Sequence, residues 1–236
     1  MSVQQDQDTP RSPTTGEPVS VVARRNHFGI WLCIVSDVTG TVALLVAYAY
    51  LWSLNVNGGW APPNNAFADP LPFWLIVLGS GIVAALMWWG FAGVRGGDPG
   101  RLVAASGIAL VVVIVTFIGQ IVQLSTFPFG PSDGAYASAT FWLCIAAAFH
   151  LAMIITLVLA ILGRTRAGLI TPQNPYHARL VAMYSTWVVI AIFLGALFAT
   201  TMTLSPNTSS PPFGDFVQPP AASSSAAPSA TASSGS

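Results

Sequence analysis

Trp31-Leu32-Cys33-Ile34-Val35-Ser36-Asp37-Val38-Thr39-Gly40-Thr41-Val42-Ala43-Leu44-Leu45-Val46-Ala47-Tyr48 holds one formally charged side chain in eighteen residues. A run this apolar and this long spans about 30 Å of hydrocarbon when helical, at 1.5 Å per residue. It must be helical there, because backbone amides in lipid have no water to satisfy them. The run belongs to a stretch over 28–54, and four more follow at 73–94, 102–124, 138–163 and 180–203. The expected fold is therefore all-α: a polytopic membrane protein built as a bundle of five transmembrane helices.

Composition agrees. Of 236 residues, 53% are hydrophobic and 7% charged, against about a quarter charged in soluble domains. So few charges cannot coat a water-facing surface. The net charge is zero, which excludes nucleic acid as a partner, because phosphate binding needs a concentrated positive field. All eight basic residues are Arg and none is Lys, as in proteins of GC-rich bacterial genomes. Cys33 and Cys144 both fall within apolar runs and are read as small core residues.

The arginines give the orientation. Arg24 and Arg25 precede the first span, Arg95 and Arg101 flank the second loop, and Arg164, Arg166 and Arg179 flank the fourth. The loops 55–72 and 125–137 carry no basic residue. The positive-inside rule then places the N-terminus in the cytoplasm and the C-terminus outside. Residues 1–26 lack an apolar core and are expected to form a disordered cytoplasmic arm. The bundle fills 27–203, and 204–236 is a Ser/Ala/Pro-rich tail, expected outside and disordered. Trp60, in a turn-rich loop, is read as an interfacial anchor.

Chemistry-bearing side chains inside the spans are few. Asp37 lies nine residues into the first span, about 14 Å from its inner end. An acid at that depth costs at least about 2.5 kcal/mol, so it should face other helices. Cys33, Asp37, Gly40, Thr41, Leu44 and Tyr48 recur at i, i+3, i+4 and form the expected packing stripe. Gly40 should give a close backbone contact, and the Thr41 hydroxyl lies one turn from the carboxyl. Two readings of Asp37 stand: a proton-related or lipid-contacting site, or a carboxyl that orients two helices. His150 lies about 20 Å from the inner face, a depth about 6 Å from that of Asp37, and is read as a buried hydrogen-bonding residue. His27 and His177 sit at the inner boundary, so no pair of histidines faces across the bilayer to ligate a haem, and no metal ligand set is apparent. Gln120 and Gln123, near the outer end of the third span, are read as meeting interfacial water, with hydrogen bonding across helices as the alternative. No nucleotide loop or nucleophile constellation is present, so the chain has no catalytic centre of its own.

Five motifs in order resemble subunit III of the haem-copper oxidases (cytochrome c and quinol oxidases) in a short, five-helix form, over roughly 27–203. These are Trp31-Leu32, Ser36-Asp37 and Ala47-Tyr48; Gly58-Gly59-Trp60-Ala61-Pro62-Pro63; Gly119-Gln120; Ala135 through His150; and Thr171-Pro172 through Tyr184. The sequence departs from the family where Ala147 replaces a histidine, Gln123 a glutamate, Ser185-Thr186 a Trp-His pair and Val189 an aspartate. The resemblance implies a non-catalytic component of a terminal respiratory oxidase in the bacterial plasma membrane, in aerobic electron transport and O2 reduction. It implies subunits I and II as partners, with haem and copper in subunit I and no cofactor on this chain. Phospholipid would fill a cleft between helices, and Asp37, with Ser36 and Thr41, would lie in that cleft and support proton uptake. His150, Gln120, Gln123 and Tyr184 would be structural polar residues. The alternatives are an assembly or scaffold protein of a respiratory complex and an independent small carrier.

Overall fold

A computed structural model describes residues 16–55 and 58–206. Five α-helices cross the molecule: α1 Val19–Leu54, α2 Pro70–Arg95, α3 Pro99–Ser125, α4 Ala135–Arg166 and α5 Tyr176–Thr201. A 3-10 turn at Pro63–Asn65 joins α1 to α2. All five helices are long and apolar enough to span a membrane, and no strand occurs among the described residues. The chain is a multi-pass membrane protein of the all-α class.

Each helix begins before its apolar stretch. α2 and α3 start on Asp69-Pro70 and Asp98-Pro99, where the aspartate accepts a hydrogen bond from Leu71 N at 2.9 Å or Arg101 N at 3.2 Å. An acid at the N-cap satisfies an orphan amide, and proline fits the first turn, whose N–H needs no partner. α1 begins nine residues ahead of its expected start, so residues 19–26, assigned in sequence to a disordered arm, are helical. Arg25 there pairs with Glu17 at 3.0 Å. Residues 1–15 and 207–236 lie outside the described residues, with the greater part of both expected tails.

The closest pairing is α2 against α3, and small residues on α2 permit it. A Cβ on Gly79 would strike the Thr116 side chain; on Gly90 it would lie 3.0 Å from Ala105 Cβ and 3.3 Å from Leu102 Cα. A Cβ on Gly93 would meet the Arg101 stem at 2.6 Å. Close approach of backbones is how membrane helices gain packing energy without a hydrophobic driving force. Gly40, expected to make such a contact, does not: it is exposed, with open space where a side chain would go. Cys33 is exposed too, whereas Cys144 is buried. The face that α1 presents to the bundle runs through Ile34, Asp37, Thr41, Leu45 and Tyr48, one register round from the expected stripe. Glycine in a helix therefore marked no contact by itself; an opposing helix had to be there.

α1 packs chiefly on α4 and α5 and leaves Phe28, Trp31, Val35, Val46 and Tyr50 exposed. Its far end is tied into an aromatic cluster. Tyr48, Trp60 and Tyr136 meet edge to face with centroids 5.2–6.4 Å apart. Trp60 is buried within the protein, and its indole N–H donates to Thr203 O at 2.8 Å. The same loop caps α4: Ala135 N and Tyr136 N donate to Gly59 O and Trp60 O at 2.9 and 3.0 Å. Gly134, at φ 123°, makes that approach possible, since a Cβ would lie 3.0 Å from Ala61 O. At the opposite end, Arg101 lies over the Trp89 ring at 4.6 Å and Arg95 over Phe91 at 5.8 Å. These stems lie along apolar surface while their charged heads stay at the bundle end.

Candidate functional site

Asp37 of α1, His150 of α4 and Trp187 of α5 meet. Asp37 Oδ2 is 2.7 Å from His150 Nε2 and accepts the Trp187 indole N–H, also at 2.7 Å. Three helices contribute because α1 runs antiparallel to α4 and parallel to α5, so residues of similar depth come level. His150 is 6% exposed in its side chain and Asp37 27%. Trp187 is half-buried.

The magnitudes indicate what this cluster does. Hydrogen bonds between membrane helices contribute about 0.6–2 kcal/mol each. An acid placed mid-bilayer costs about 2.5–3.5 kcal/mol. Two bonds thus offset the insertion cost of Asp37 but leave little surplus to drive assembly. The indole can only donate, so Oδ2 is an acceptor toward Trp187 whatever the protonation state. With one proton in the Asp37–His150 bridge and one on the outer ring nitrogen, the pair is neutral in sum, whichever partner holds the bridging proton.

The other sequence-derived candidates divide. Thr41 lies beside the cluster and lines a central cavity. Ser36 is exposed and faces away. Tyr184 is buried, one turn before Trp187 on the same helix, and faces Asp37. Gln120 and Gln123 do not meet interfacial water: they are 2% and 4% exposed. Gln120 Nε2 donates to Gln123 Oε1 of its own helix at 3.2 Å, and Gln120 also reaches Cys144 of α4, so the alternative of a contact across helices holds for Gln120. Trp187 was not anticipated. Its signal was a tryptophan seven residues into a span, too deep for the interfacial belt, with an N–H that needs a buried acceptor. Among the described residues, no group of three or more His, Cys, Asp or Glu side chains comes together.

Between α1, α4 and α5, on the arginine side of Asp37, lies a groove of about 540 Å3. Its walls include Gly29, Ile30, Leu157 and Val181, and its end carries Arg25, Asn26, Arg164 and His177. Arg164 Nη1 is 2.7 Å from His177 Nε2. The groove thus joins an apolar trough to two guanidinium groups. No protein-family model matches this chain, and no curated protein matches it significantly.

Proposed function

We propose that the chain is a non-catalytic, subunit III-like component of a terminal respiratory oxidase in a bacterial plasma membrane, with its N-terminus in the cytoplasm. Its partners are the haem- and copper-bearing subunit I and subunit II, and it holds phospholipid against them. The observation that supports this reading is the groove. α1 stands off from the bundle along its arginine half, leaving a trough wide enough for acyl chains. Arg25 and Arg164 sit where an anionic headgroup would lie, and guanidinium suits phosphate because its donors form a planar fork. The Asp37–His150–Trp187 cluster closes the trough at mid-depth and ties α1 to α4 and α5.

Extraction in mild detergent tests the assembly: a tagged chain should bring down a polypeptide with haem and copper spectra. Recovery of the intact chain without such a partner overturns the assignment. Native mass spectrometry tests the lipid. The wild-type chain should retain phospholipid, and the Arg25→Ala/Arg164→Ala pair should lose most of it while keeping its helical content. Equal retention in both means the groove is not the lipid site.

A further inference from the structure

On the other side of His150 the bundle encloses a cavity of about 30 Å3 that all five helices line, with Thr41, Gln120, Cys144 and His150 as its polar walls. Its Gln120 wall is bonded to Gln123, one turn further toward the Trp60 end. Gln123 Nε2 is buried without a hydrogen bond, and the buried Tyr48 hydroxyl has the Thr140 hydroxyl as its neighbour. Thr140 lies beside both Tyr48 and Tyr136, and Gln120 beside Cys144. A buried donor or acceptor left unmade costs about 1–3 kcal/mol, so Gln123 Nε2 calls for a partner. Water needs about 10–15 Å3 and two to four polar neighbours. This cavity has room for roughly two molecules, and four polar residues set in a mostly apolar wall supply the neighbours.

The direction matters. Toward the arginine end, α4 follows His150 with Leu151, Ile154, Val158 and Ile161, all buried and apolar, and the groove that reaches Cys33, one turn before Asp37, is filled by acyl chains on the function proposed above. A second cavity there is only about 10 Å3 and mostly apolar, too small to hydrate. The ionisable groups facing Asp37 are His150 from α4 and Tyr184 from α5.

We propose that bound water occupies the central cavity, links His150 to the Gln120–Gln123 amides, and makes the Trp60 end of the bundle the side from which the Asp37–His150 pair exchanges its protons. Each exchange is one proton for one proton, so the pair keeps its charge. The Trp60–Tyr48–Tyr136 cluster is the lid over this column.

Water-edited solid-state NMR on the isotope-labelled full-length chain in phospholipid bilayers tests this and needs no oxidase partner, so its outcome is separate from that of the assembly reading. The expected result is early polarisation transfer from water to the Gln123 side-chain amide and the His150 ring nitrogens. Gln120→Leu should abolish the transfer at His150 while its contact with Asp37 persists. Transfer to both groups no faster than to the fully buried Val113 methyls overturns the proposal. Transfer to His150 that survives Gln120→Leu also overturns it, because the water would then arrive by another route. The wild-type measurement decides by itself if the variant fails to fold.

Discussion

Replacing His150 by leucine is expected to lower the stability of the bundle by about 2–3 kcal/mol, the insertion cost of an acid whose main partner is gone. Leucine fills the same volume, so no cavity adds to the loss. The Trp187 bond remains, and the 27% exposure of the Asp37 side chain lets the carboxyl relax toward the groove, which keeps the figure below that of a fully buried unpaired acid. Asp37→Asn should cost far less, because its amide oxygen still accepts from Trp187 and the side chain keeps its shape. A double-mutant cycle with Asp37→Leu isolates the pair. The double variant should be more stable than His150→Leu alone, since no acid is left to satisfy. Unfolding by a denaturing detergent in lipid–detergent mixtures reads all four forms. If His150→Leu unfolds at the wild-type midpoint, the 2.7 Å contact contributes nothing.

Gly90→Leu is the second large effect. The added Cβ would sit within 3.0 Å of Ala105 Cβ and 3.3 Å of Leu102 Cα. A methyl and a backbone atom cannot rotate out of the way, so α2 and α3 must separate. Overpacking of this kind costs about 1–3 kcal/mol, and leucine, with three more heavy atoms than alanine, belongs at the top of that range. Gly40→Leu is the control. The side chain enters open space on an exposed face, and leucine favours the helix by about 1 kcal/mol over glycine, so its midpoint should hold or rise. Thermal unfolding followed by far-UV circular dichroism separates the two. A Gly90→Leu midpoint at or above that of Gly40→Leu would show that the α2–α3 approach is loose.

The spans were legible because bilayer thickness sets one length scale and the apolar runs meet it five times. Their starts were misplaced because hydropathy is blind to polar caps: Asp69-Pro70 and Asp98-Pro99 are helix-start signals that a search for apolar residues discards. The Asp37–His150 contact was within reach of depth arithmetic, since both residues follow from a rise of 1.5 Å per residue. Depth carries no azimuth, however. It could not show that Gly40 turns outward while Gly79, Gly90 and Gly93 turn onto α3, or that Ser36 leaves the cluster that Asp37 joins. Gln120 and Gln123 were read by height alone as near the surface, yet the aromatic cluster under the Trp60 loop closes over that end of the bundle. The groove was not derivable from the residues, because it depends on how far α1 stands from α4 and α5.

The two ties of Asp37 join residues 113 and 150 positions apart. A ribosome adding about 5–20 residues per second reaches His150 roughly 6–23 s after it has made Asp37. For that interval the first helix enters the membrane with its acid unmatched, while α2 and α3, neighbours in sequence, can already pair as a hairpin. The first helix synthesised therefore cannot complete its docking until α4 and α5 have been made. Nascent chains stalled before His150 should carry α1 as a separate lipid-borne segment, open to capture by the membrane's insertion and quality-control machinery.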